Sequence, residues 1–153
     1  LPIYASIKLY KLWGDLGANL DSFTQDELLF SSLNHDLGKV MFDGEPCYLE
    51  NDSDWHVKNQ GLLYKFNTNI PFMTVPDRSL FLLQEANIPV SLNEMLSIKL
   101  HDGLYDDSNK SYLFSFQPET KLRTVLPYII HQADMLASKI EFEQQWLKNF
   151  KKQ

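Results

Sequence analysis

Apolar residues in the opening stretch, "IYASIKLYKLWGDLGANL", fall at Ile3, Ile7, Leu9, Tyr10, Leu12, Trp13 and Leu16. That spacing predicts a helix, and Pro2 suits its first turn, where a missing N–H costs nothing. "TQDE" (Thr24–Glu27) has the form of a capping box ahead of the apolar "LLFSSL", which predicts a second helix from about Gln25 to His35. The pattern then changes. In "KVMFDGEPCYLENDSD", Asp43-Gly44 separates short apolar runs, as in a small β-hairpin or an ordered loop.

Helical spacing returns in "HVKNQGLLYKFN", read as a helix from near His56, and in "PDRSLFLLQEAN", which opens with Pro76 and Asp77. "SLNEMLSIKLHDG" carries a second capping box, Ser91 with Glu94, and Gly103 is its expected stop. "LYDDSNKSYLFSFQPE" reads as a loop, with room for a short strand. A long helix is expected from about Glu119 to Lys151, with Pro127 either kinking it or marking its true start. No internal repeat or low-complexity tract interrupts the chain.

These elements describe one mostly helical domain over residues 1–153, with a hairpin or loop insertion after the second helix. Apolar content of 44% and aromatic content of 13% suit a folded globular chain. With 20 acidic against 14 basic residues the formal charge is −6, which argues against a uniformly basic surface for duplex nucleic acid. The single Cys47 excludes an intramolecular disulfide and a cysteine-based zinc cluster. No apolar run approaches the roughly 20 residues of a membrane span, and a cytoplasmic location is the default expectation. The chain begins Leu1-Pro2 without an initiator Met, so some natural N-terminal sequence is expected to be missing.

Several polar residues sit where core is expected. His35 and Asp36 end an apolar helix in "SSLNHDLGKV", and His101 ends another after "LSIKL". In "YIIHQADMLASKI", His131 and Asp134 are three apart and share one helical face. A buried carboxylate beside Ala133 and Met135 needs a partner, and an ion held by imidazole and carboxylate would serve. The bland alternatives are a satisfied core histidine at His131, a helix-start residue beside Trp55 at His56, and a solvated Lys39 after a Gly cap. "DGLYDD", with three carboxylates, lacks the calcium-loop pattern and reads as exposed loop.

"NHDLGK" resembles the signature of the HD-domain metal-dependent phosphohydrolases, an all-helical family named for a His-Asp doublet at a helix end. "IKLHDG" is similar to that family's later helix ending in His, and "HQADMLAS" to its late helix carrying Asp. The resemblance covers nearly the whole chain and implies an all-α HD-type bundle holding one or two divalent ions (Mn, Fe, Ni, Zn or Co). It implies Asp36 as a bridging ligand, with His35 and Asp134 on one ion and His56 and His101 on the other. Lys39 is then expected to meet a phosphate oxygen, with Lys58 a weaker candidate, and His131 to support a ligand or to supply a proton to the leaving group.

One departure is that the family's first ligand His lies upstream of the doublet, whereas His35 is the earliest histidine here. Such a His is expected immediately ahead of Leu1. The implied activity is hydrolysis of a phosphate ester of a nucleotide or similar small molecule by a metal-activated water. The alternatives are a phosphodiesterase or exonuclease on single-stranded nucleic acid, and an HD-fold interaction module without catalysis.

Overall fold

The computed structural model describes the backbone of residues 1–150 and the side chains of residues 1–144, and the chain is mostly helical. Helix α1 spans Pro2–Asp15 and α2 spans Gln25–Asn34. The capping box of α2 forms as read: Thr24 Oγ1 accepts from the Glu27 amide at 3.1 Å, and the Glu27 carboxylate accepts from the Thr24 amide at 2.8 Å. α2 ends at Asn34, and a short 3-10 turn (Leu37–Lys39) follows.

The expected hairpin is present. β1 (Met41–Phe42) pairs antiparallel with β2 (Glu45–Pro46). Both turn residues are left-handed, Asp43 at φ 51° and Gly44 at φ 80°, which is the backbone that matches the twist of a tight hairpin. A second pair was not expected: β3 (Tyr48–Glu50) lies antiparallel to β4 (Tyr64–Phe66), with Tyr48 opposite Phe66. The helix read from His56 through Asn67 is therefore shorter. α3 (Asp54–Gln60) stops where Gly61 turns left-handed at φ 66°, and the residues after it are recruited by a strand rather than by helix.

α4 (Val75–Glu85) is capped by Thr74, with Pro76 in its first turn. α5 (Leu92–Lys99) carries the Ser91–Glu94 capping box. Between α5 and the last helix the chain makes two 3-10 turns and the short α6 (Lys110–Leu113), with no strand among the described residues. The buried Asn109 side chain closes this segment by donating to the Gly103 carbonyl at 2.9 Å. α7 starts at Leu126 and runs to Phe150, so Pro127 marks a helix start and Glu119–Val125 remain outside it. The expected end at Lys151 lies outside the described residues.

Phe23, Leu28, Leu126, Ile129 and Ile130 form the buried core, with Leu9, Tyr10 and Trp13 packed against it. Each fully buried Leu or Ile contributes about 1.5–3 kcal/mol, more than a typical cap at roughly 1 kcal/mol, so packing on α7 rather than local capping holds the bundle. α1 lies along α7. Trp13 stacks on Tyr128 with ring centroids 6.2 Å apart and donates Nε1–H to Gln132 at 3.0 Å. Buried Ala5, Ser6, Ser32, Ala133 and Ala137 keep side-chain volume low where helices meet. α2, α5 and α7 contact one another, which brings two helix ends up to the middle of a third.

Candidate metal centre

Adjacent side chains on a helix point about 100° apart, so a His-Asp pair converges only if the helix has ended. That happens twice. α2 stops before His35, and Asp36 leaves helical geometry at φ −102°, ψ 11°. α5 stops before Leu100, at φ −100°, ψ 5°, just ahead of His101 and Asp102. The two doublets are built alike. His35 Nδ1 lies 2.9 Å from the Ser32 carbonyl and His101 Nδ1 lies 2.8 Å from the Ile98 carbonyl. Since a carbonyl only accepts, each Nδ1 carries a proton, and Nε2 is the nitrogen left for a second proton or a metal ion.

Both Nε2 atoms are buried and make no hydrogen bond among the described residues, and neither does buried Asp36 Oδ1. They face carboxylate oxygens: His35 Nε2 is 3.6 Å from Asp36 Oδ2 and 3.4 Å from Asp134 Oδ1. His101 Nε2 is 3.4 Å from Asp36 Oδ1 and 3.5 Å from Asp102 Oδ1. Lone pairs facing lone pairs in a buried setting repel, unless a cation stands between them. A proton is one such cation, and a metal ion is the other. The edge of a tetrahedron with bonds of about 2.1 Å is about 3.4 Å long, which matches these separations. Two groupings meet the requirement, His35–Asp36–Asp134 and His101–Asp102–Asp134, each with its ligand atoms within 4.8 Å of one another. The donor set fits a divalent transition metal.

The electrostatics agree. Burial disfavours the Asp36 carboxylate, but His101, Lys39 and the charge of His35 outweigh it and hold the group below the ordinary carboxylate range. Asp134 is lowered in the same way, with burial overcome by His35. Burial opposes protonation of His101, yet Asp36, the Ile98 carbonyl and Asp102 raise its affinity for a proton. Lys39 Nζ contacts Asp36 Oδ2 at 2.8 Å, and that pairing outweighs burial and raises the ammonium's pKa.

The scaffold behind the first doublet comes from α4. Ser79 Oγ donates to the His35 carbonyl at 3.0 Å and accepts from the Gly38 amide at 2.8 Å. Arg78, buried, donates to the Gly38 carbonyl at 3.2 Å, and its guanidinium lies against Phe42 and Phe66. A Cβ on Gly38 would meet the Val75 carbonyl oxygen at 2.4 Å, so only glycine allows α4 this close. On the other side, His131 Nδ1 donates to the His101 carbonyl at 2.7 Å, and its ring lies where a Gly103 Cβ would stand.

Of the residues singled out from sequence, the structure gathers His35, Asp36, Lys39, His101 and Asp134, and places His131 against the backbone of His101. His56 stands outside both groupings. It is exposed, its Nδ1 lies 2.6 Å from Ser53 Oγ, and its ring packs on Trp55. The reason is local, since α3 buries none of its residues and nothing draws it onto the core. Lys58 makes only a surface pair with Asp54 at 3.7 Å. Asp102, assigned to an exposed loop by its neighbours Asp106 and Asp107, takes the place beside His101. The signal that could have found it is the repetition of His-Asp directly after a capped amphipathic helix.

No protein-family model, curated protein or solved structure matches the chain.

Proposed function

We propose that this chain is a metal-dependent phosphohydrolase with an HD-type fold, acting on a nucleotide or similar small phosphate ester. The observation that carries the reading is the pair of buried imidazole nitrogens, His35 Nε2 and His101 Nε2, without hydrogen-bond partners among the described residues and both facing Asp36. A structural histidine spends both nitrogens on partners or leaves one in water; these do neither. His35, Asp36 and Asp134 would hold one ion, and His101 and Asp102, together with Asp134, would be able to hold another. A bound divalent ion supplies Lewis acidity toward a phosphoryl oxygen and a water of lowered pKa.

The chain's own groups have separate tasks. The Lys39 ammonium, already at Asp36, is placed to meet a phosphoryl oxygen and to offset charge that builds up there. Asp36 and Asp134 stay ionised at neutral pH. His131 keeps its proton at Nδ1 on the His101 carbonyl, so Nε2 is the atom that gives or takes a proton on the cleft side. Buried Ser79 and Arg78 orient the first doublet through its backbone.

Bound metal in the purified chain, measured by mass spectrometry for wild type and Asp36→Ala, tests the reading. One or two equivalents that vanish in the variant, together with release of phosphate from a nucleotide panel, are expected. A chain that stays metal-free after reconstitution with Mn, Fe, Ni, Co and Zn, and that hydrolyses none of the panel, overturns it in favour of an interaction module.

A further inference from the structure

Resting on the phosphohydrolase reading, we propose that the cleft beside the centre is the leaving-group subsite. It takes a nucleoside bearing a second phosphate, with that phosphate on Lys139 and the base on Tyr105. The cleft has a volume of about 190 Å³ and is lined by His101, Asp102 and Asp134 of the centre together with His131, Tyr105 and Lys139. Three of these residues belong to the centre, so a molecule held there has the cleft beside it for its remaining groups.

Charge decides the chemistry of the cleft. Asp102 and Asp134 line the cleft at the centre, and Lys39, paired with Asp36, is assigned to the phosphate held there. Lys139 lines the cleft, is exposed, and makes no ion pair or hydrogen bond among the described residues. Among the described residues lining the cleft, it is the cation available to an anionic substituent. Position on α7 sets the distance. His131, Asp134, Met135, Ser138 and Lys139 line the cleft as one stripe, and Lys139 lies five residues beyond Asp134, about 7.5 Å along the axis. That offset corresponds to a sugar between two phosphates better than to a P–O–P linkage, where both phosphates would crowd the centre.

Tyr105 supplies the remaining contact. Its side chain is 79% exposed although the residue sits in an ordered turn beside buried Gly103. Tyr105 also lines a second hollow of about 200 Å³, formed with Leu104 and His131. An accessible aromatic face beside a cation and a phosphate-handling centre suits a stacked base, a contact that every nucleobase can make. In the reaction a water oxygen bonds to phosphorus as the ribose O–P bond breaks. The water's two protons are divided between the products, one to the ribose oxygen and one to the phosphate, and inorganic phosphate and the remaining nucleoside monophosphate depart.

The test uses the metal-loaded chain with four substrates: adenosine 3′,5′-bisphosphate, 5′-AMP, 3′-AMP and glycerol phosphate. The bisphosphate is expected to exceed either monophosphate in kcat/KM by about tenfold or more, the usual scale of one charge-assisted contact. Lys139→Gln is expected to bring that ratio to about one, through KM rather than kcat. Tyr105→Ala is expected to lower kcat/KM for the three nucleotides relative to glycerol phosphate. Calorimetric binding of 5′-AMP and 3′-AMP to both variants reads the same contacts without turnover. Glycerol phosphate hydrolysed with no bisphosphate preference, or a preference untouched by Lys139→Gln, overturns the subsite and leaves the phosphohydrolase reading standing. No turnover of any of the four overturns both.

Discussion

The imidazoles of His35 and His101 meet edge to face, with ring centroids 4.9 Å apart and planes at 72°. Each ends a different helix, and each is oriented by a carbonyl three residues back, at Ser32 and at Ile98. The same device, used twice, turns two bare nitrogens toward Asp36. Its energetic consequence is that the site without a cation is held against the repulsion of its own lone pairs, and a bound cation relieves it.

The ligand assignment separates residues that sequence alone treats as equivalent. His101→Ala and Asp102→Ala are expected to weaken metal binding, His101 by more than the about 10–100-fold typical of outer-sphere changes. His56→Ala is expected to leave affinity within error of wild type, because that ring bonds to Ser53, packs on Trp55 and lies outside both groupings. Competition titration with a chromophoric chelator measures all three, and a His56→Ala loss as large as that of His101→Ala removes the assignment.

Protons compete with the metal for the same atoms, so loading is expected to release protons and to weaken as pH falls. The metal-free protein has its own profile. Asp36 and Asp134 have lowered values, so their stabilisation is present above the unfolded carboxylate value of about 3.9 and is lost as pH falls through the folded values. His101 has a raised value, so its contribution is complete below the unfolded value of about 6.5 and is lost as pH rises through the folded one. For these groups the metal-free protein should be most stable between roughly pH 4 and 6.5, and thermal midpoints in chelator across pH 3–9 check it. Metal should then raise the midpoint most at the alkaline end, where His101 has lost its proton.

Gly38→Ala tests the close approach of α4. The added methyl would fall 2.4 Å from the Val75 carbonyl and 3.0 Å from Arg78 Cβ, so either the helix or the doublet must shift. A loss of about 1–3 kcal/mol is expected, on the scale of core overpacking. Because Gly38 is bonded to Ser79, which also holds the His35 carbonyl, metal affinity should fall with stability. Denaturant unfolding and metal titration on the same samples read both effects. A stable variant with normal affinity would show that the clamp does not position the doublet.

Arg78 is buried with no carboxylate partner among the described residues, its charge met by the carbonyls of Gly38 and Pro71, the Cys47 sulfur and two phenylalanine faces. Lysine lacks the planar fork that serves these partners at once. Arg78→Lys is therefore expected to cost about 2 kcal/mol or more, near the scale of lost hydrogen bonds to a charged group. Chemical denaturation of the metal-free chain is the direct measurement, and a change within error would assign the role to packing of the aliphatic stem alone.

What the sequence determined by itself is local. The capping boxes at Thr24 and Ser91, the left-handed turn at Asp43-Gly44, and the helical spacing of α1, α4 and α5 depend on residues a few positions apart, and the structure has them where the pattern places them. The doublet His35-Asp36 was legible for the same reason, since a polar pair closing an apolar helix is a short-range signal. Tertiary structure decided whatever depends on long-range meetings. Tyr64–Phe66 became strand because Tyr48–Glu50 offered backbone partners across the chain. Asp102 joined the centre, and His56 stayed out, because α5 is packed on α2 and α7 while α3 buries nothing. Gly38 owes its role to the distant carbonyl of Val75. Hydrophobic burial chooses which helix ends converge, and no spacing within a single segment encodes that choice.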